Sequence, residues 1–176
     1  MKALLFGAAA AALLHITPTV TLVERSEVVS RLLTGADRFT AREVHLSSAD
    51  ERRLHDAAGW TPPDDVITFY LGKRADQVEG VLVFMRVDSP HGPLEVAVGF
   101  DKAGAIRGVE VTKATVETKP WIVEALRAGL TEHYRETPPV AAPAVKGKVG
   151  TMAEYMAELV DRGVAHAGAA YRLFYR

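Results

Sequence analysis

Hydrophobic and polar positions alternate most regularly between residues 94 and 111. Leu94, Val96 and Val98 alternate with Glu95, Ala97 and Gly99, and after residues 101–104 the alternation resumes through Ile106, Val109 and Val111. A period of two predicts two strands, and the glycine-containing break between them predicts a tight turn. The second strand runs into Glu117-Thr118-Lys119-Pro120. There Thr118 can cap a helix, and Pro120 fits the first turn, where a missing N–H costs nothing.

Upstream, Ser26 can cap a short helix carrying Val28, Val29, Leu32 and Leu33 and ending near Gly35. Residues 39–46 read as a strand, and Ser47 with Asp50 opens a polar helix that stops at Gly59. After the extended connector Trp60-Thr61-Pro62-Pro63, two apolar runs, VITFYL (66–71) and VLVFMRV (81–87), predict strands on either side of the polar turn GKRADQ. With the hairpin they make a four-stranded meander. At the far end Met152, Tyr155, Met156, Leu159, Val160, Gly163, Val164 and Ala167 recur at helical spacing, and Thr151 with Glu154 forms a capping box. The sum is an α+β domain whose antiparallel sheet is covered by helices on one face.

The first residues follow a different pattern. Behind Met1-Lys2 runs LLFGAAAAALLHI, and extending this run through Thr17, Pro18 and Leu22 to Val23 gives the roughly 20 residues that a bilayer requires. Residues 1–24 are therefore a membrane anchor or signal segment, with 25–176 as the folded domain. No small-x-small site follows Leu14, which favours an uncleaved anchor. With Lys2 inside, the domain faces the periplasm from the inner membrane. Composition narrows the rest. The 176 residues, 48% hydrophobic, suffice for one core, and 21 basic against 22 acidic residues leave no field to attract nucleic acid. The absence of cysteine excludes disulfides, Fe–S clusters and thiolate metal sites.

The order VGFD, a glycine turn, IRGVEV, then an ET pair followed by proline resembles the flavin-binding domain of the Rnf complex G subunit and of the C subunit of the sodium-translocating NADH:quinone reductase. From about Gly35 onward the chain resembles bacterial periplasmic members of the same FMN-binding family. The resemblance implies an FMN whose phosphate is attached to a threonine, and Thr151 falls at that place. The family pattern there is Ser, Gly, Ala, Thr, whereas this chain reads Lys148, Val149, Gly150, Thr151. The resemblance also places Glu117 and Thr118 beside the flavin. Trp121 stands where the family commonly has glycine.

The residues themselves leave two readings open. A helix N-terminus directs free N–H groups and a positive dipole end at an anion, so Gly150, Thr151 and Met152, with Lys148 alongside, suit a phosphate. Trp121 can stack on a flavin ring or pack in the core. The first reading is a membrane-anchored, FMN-binding electron-transfer subunit of a respiratory or photosynthetic complex, its FMN held at Thr151 covalently or without a bond. In the second, the same fold without flavin serves as a structural subunit of a membrane complex. In neither does a side chain act as a catalytic acid or base. His45, His55, His91, His133 and His166 form no ligand pair at helical or hairpin spacing, so no metal site is predicted. No phosphate-binding loop, dinucleotide fingerprint or nucleophile elbow is present.

Overall fold

The computed structural model describes residues 17–135 and 151–175, and of Thr151 the backbone alone. In chain order the elements are β1 (Thr19–Thr21), α1 (Arg25–Leu32), β2 (Arg38–His45), α2 (Ser48–Ala58), β3 (Val66–Arg74), β4 (Gln77–Val87), β5 (Leu94–Asp101), β6 (Ile106–Thr115), α3 (Lys119–Arg127), a 3-10 turn (Leu130–Tyr134) and α4 (Thr151–Phe174). The six strands form one antiparallel sheet in the order β1-β6-β5-β4-β3-β2. The α+β class and the meander follow the sequence pattern, with five strands paired consecutively from β2 to β6.

The N-terminal boundary needs correction. Residues 19–21 pair with 115–113 of β6, and the N–H groups of Leu22 and Val23 both donate to Thr112 O. The residues that bring the apolar run to bilayer length thus belong to the sheet, and the folded unit begins before residue 25. A three-residue strand is too short to show a period, so nothing in the pattern announces it. The apolar run itself, and the helix expected of it, lie in residues 1–16, outside the described residues. Among the described residues no helix is long and apolar enough to cross a membrane.

The turn between β3 and β4 is tighter than its polar composition suggests. Arg74 pairs with Gln77, so the loop is Ala75-Asp76 alone, with Ala75 at φ 52°. Two long-range contacts hold that conformation: Ala75 N donates to Asp37 Oδ2 at 3.1 Å, and Arg38 Nη2 donates to Ala75 O at 2.9 Å.

Helices α2, α3 and α4 lie over one face, where Phe69, Val83, Val96, Val98, Met156 and Val160 are buried in a common core. Gly163 permits close approach of α4, since a Cβ there would sit 3.0 Å from Val96 Cγ2. The opposite face is not bare, as a one-sided sheet would be. Helix α1 lies on it through Val28, Leu32 and Leu33, over Leu82 and Ala97. Four glycines on neighbouring strands make the room: a Cβ on Gly72 would stand 2.9 Å from Leu33 Cβ, on Gly80 3.2 Å from Leu33 Cδ2, on Gly99 3.0 Å from Leu32 Cβ, and on Gly108 2.8 Å from Leu32 Cδ2. Helix α1 starts one residue before Ser26, which therefore lies inside it and does not cap it, and Arg25 pins that start to the sheet by an ion pair with Glu95 and by lying over the Phe84 ring at 4.7 Å.

Helix α2 forms as its end signals predict. Ser47 and Asp50 make the reciprocal capping box, and Gly59 closes the helix in the left-handed region, its N–H donating to His55 O. The chain then enters the connector with Trp60 buried, which positions that ring beneath α4.

Candidate functional site

Strand β6 ends at Thr115, and the chain turns through Val116, Glu117 and Thr118 into α3, with Pro120 in the first helical turn. The corner is fixed by a reciprocal pair of threonines. Thr115 N donates to Thr118 Oγ1 at 3.1 Å, Thr118 N donates to Thr115 Oγ1 at 3.1 Å, and the two hydroxyls lie 2.9 Å apart. Both residues are buried. Thr118 therefore departs from the capping role its position suggests. It precedes α3 in helical rather than extended conformation, makes no side-chain cap and folds back onto Thr115.

The turn between β4 and β5 comes up against this corner. Thr115 Oγ1 donates to His91 O at 3.0 Å, while Ser89 Oγ donates to Gly92 O at 2.8 Å. Gly92 lies at φ 91°, and a Cβ there would fall 2.5 Å from Thr115 Cγ2, so the turn can seat on the threonine only with glycine at this position. The turn thus places His91 between three elements. Its Nδ1 is 2.8 Å from Glu117 Oε1, and its ring stands edge-on to Trp121 (5.2 Å between centroids) and to Tyr155 of α4 (5.8 Å). An ionised carboxylate only accepts, so Nδ1 carries the proton and Nε2 of the neutral ring is left as an acceptor.

Of the candidate residues, Glu117, Thr118 and Trp121 are brought together, and Tyr155, one turn beyond Thr151, joins them through His91. Glu117 remains substantially exposed, Trp121 is half-buried against the core, and Met152 is half-buried on the first turn of α4. Lys148, Gly150 and the side chain of Thr151, with the capping box assigned to it, lie outside the described residues. His91 was not legible as a participant, because a histidine in a turn 26 positions from Glu117 carries no local signal of that pairing.

The polar groups that the corner turns outward are acceptors. The Glu117 carboxylate can accept from a ligand's ring N–H, His91 offers an adjacent polar nitrogen, and Trp121 and Tyr155 offer aromatic surface. Thr118 contributes nothing to such a ligand, its hydroxyl being used inside the corner. Three grooves among the described residues, of about 320, 310 and 300 Å³, lie elsewhere, and none is lined by Glu117, Thr118, Trp121 or Met152. At the corner the aromatic rings pack against His91. Among the described residues no group of His, Asp and Glu is placed to hold a metal ion.

No protein-family model and no curated protein matches this chain.

Proposed function

We propose that this protein is an FMN-binding electron-transfer subunit of a respiratory or photosynthetic membrane complex, anchored through its N-terminal segment and facing the periplasm. The observation that supports this most directly is the meeting of two segments far apart in sequence. The Glu117–Trp121 corner stands beside the first turns of α4 through the contacts of His91 with Glu117, Trp121 and Tyr155. These are the two places to which the resemblance assigns the flavin ring and its phosphate. FMN, when bound, supplies one- and two-electron redox chemistry, and the protein's part is to bind and orient it and to set its potential. In this reading Glu117 and His91 present acceptor groups to the ring edge, and Trp121 covers its surface. The start of α4, with Lys148, receives the phosphate, by a bond to Thr151 or by charge and N–H groups alone. The partners are the other subunits of the complex and the membrane, not nucleic acid.

One specific observation favours the second reading, a flavin-free structural subunit. Thr118 is turned inward, and His91, Trp121 and Tyr155 already satisfy one another at the corner.

The deciding experiment is an absorbance spectrum of protein purified from its native membrane, followed by denaturation and mass determination of the chain. Flavin bands with a chain mass raised by one FMN, and no such increase in Thr151→Ala, support the covalent form. Flavin released on denaturation supports the non-covalent form. Absence of flavin from a stable protein that co-purifies with other subunits overturns the electron-transfer reading in favour of the structural one.

A further inference from the structure

Where the connector after α2 crosses the end of β4, it forms a groove of about 310 Å³ with α4, on a part of the molecule that the proposed function does not use. Trp60 and His166 both line it, the imidazole stacked on the indole with 4.6 Å between centroids and 9° between planes. His166 is only 6% exposed, and its Nδ1 is sealed off without a hydrogen-bond partner. An orphaned buried acceptor is tolerated more readily than an orphaned buried N–H. The neutral ring therefore carries its proton on Nε2, the nitrogen left for a partner.

The charged residues along this groove are Arg162, one helical turn before His166, and Arg86 and Asp88 at the end of β4. Arg86 donates through Nε to Asp88 Oδ1 at 2.8 Å, which uses one face of its guanidinium. Arg162 has no ion pair or hydrogen bond to any described residue. Two cations against one carboxylate leave the groove one positive charge in excess. Beside that charge it holds an N–H donor and the side of the Trp60–His166 stack.

We propose that this groove binds a small carboxylate, held by Arg162 and the free side of Arg86, with His166 donating from Nε2 and the apolar body of the ligand against the side of the Trp60–His166 stack. Arg is suited to this because its planar fork meets both carboxylate oxygens. The single excess charge matches a monoanion, whereas a phosphate dianion would exceed it and face Asp88.

The test uses the full chain, with ring-nitrogen NMR of His166 and the indole N–H signal of Trp60 followed during addition of sodium benzoate at constant ionic strength. The proposal expects saturable shifts at both residues. It also expects affinity lower by roughly tenfold in Arg162→Gln, the loss implied by removing one charge-assisted hydrogen bond. Arg162 is exposed, so that variant is expected to fold, and Arg86→Gln provides a second, independent loss. Shifts that rise linearly without saturation overturn the proposal, as does binding that both arginine variants leave unchanged. Equal responses to chloride would show charge screening alone, and tighter binding of inorganic phosphate than of benzoate would overturn the assignment of ligand class.

Discussion

His91 Nδ1 meets Glu117 Oε1 at 2.8 Å, and this bond ties the turn before β5 to the corner after β6. Both side chains are more than a third exposed, so the bond contributes less than about 1 kcal/mol. The imidazole also meets Trp121 and Tyr155 edge-on, and aromatic pairs of this kind contribute about 0.5–1.5 kcal/mol each. The packing of the ring therefore matters more than its bond to Glu117. His91→Ala is expected to cost about 1–2 kcal/mol in urea unfolding and to shift Trp121 fluorescence, and Glu117→Gln less than about 1 kcal/mol. Equal losses in the two variants would show that the bond to Glu117 dominates instead.

The threonine pair beneath it predicts a larger effect from a smaller change. Thr118→Val preserves shape but leaves the buried Thr115 N–H without its acceptor, while Thr115 Oγ1 loses one partner and keeps His91 O and Thr118 N. A buried polar group left unsatisfied costs about 1–3 kcal/mol, and that loss is expected in denaturant unfolding. Thr118→Ser keeps the hydroxyl and should recover most of it. If Ser and Val are equally destabilising, the lost methyl packing, not the hydrogen bonds, holds the corner.

What could be read from the sequence divides along the same line between local and long-range effects. The cap at Ser47, the stop at Gly59, the 94–111 hairpin and the buried face of α4 are each encoded within a few residues, and each forms where its signals place it. The Asp101 turn is equally local: the carboxylate accepts from the N–H groups of Ala103 and Ala105. By contrast Ala75 holds a left-handed turn through Asp37 and Arg38, β1 exists because β6 offers it an edge, and Thr118 abandons its cap for Thr115. The candidate site was half legible for this reason. Glu117, Thr118 and Trp121 sit on one recognisable corner, whereas His91 and Tyr155 arrive from other parts of the chain.

The seat of α1 predicts a contrast between two glycines. At Gly72 an added methyl meets Leu33 Cβ at 2.9 Å and Ala36 Cβ at 3.0 Å, atoms fixed to the backbone. At Gly108 the obstacle is Leu32 Cδ2 at 2.8 Å, the end of a side chain that can rotate. Overpacking that cannot relax costs about 1–3 kcal/mol, so Gly72→Ala should fall in that range and Gly108→Ala well below it. Urea midpoints of the two variants decide the point. The reverse order would show that α1 shifts as a rigid body more easily than Leu32 changes rotamer.

The β3–β4 turn should respond in the opposite sense. Ala75 at φ 52° bears the left-handed strain of about 1–2 kcal/mol that glycine does not, while glycine loses about 0.5–1 kcal/mol through greater freedom in the unfolded chain. Ala75→Gly is therefore expected to stabilise by roughly 0.5–1 kcal/mol, read as a higher urea midpoint. A lower midpoint would mean that the Asp37 and Arg38 contacts have already removed the strain.

His166 gives the pH dependence a defined window. Burial, and secondarily the charge of Arg162, lowers its pKa from the ordinary 6.5 to about 4. Between those values the unfolded chain binds a proton at this position and the folded chain does not, so stability falls as pH drops from 6.5 toward 4. Above 6.5 both states are neutral here and the contribution is complete. Below about 4 both are charged and the loss stops. Other groups act over neighbouring ranges. Glu95 is destabilised by burial, but hydrogen bonds from Arg25 and Thr112 overcome this and lower its pKa, so its loss comes below the ordinary carboxylate value of 4.5. Burial raises the pKa of Glu110, which works the other way. The His166 contribution is therefore the difference between wild type and a variant that keeps the ring stack but cannot titrate. His166→Phe retains an aromatic face for Trp60 and removes the orphaned Nδ1. It should match or exceed wild-type stability at neutral pH and lose less between 6.5 and 4. Parallel curves across that window would mean that the imidazole is protonated in the fold after all, with Asp88 or a bound anion compensating Arg162.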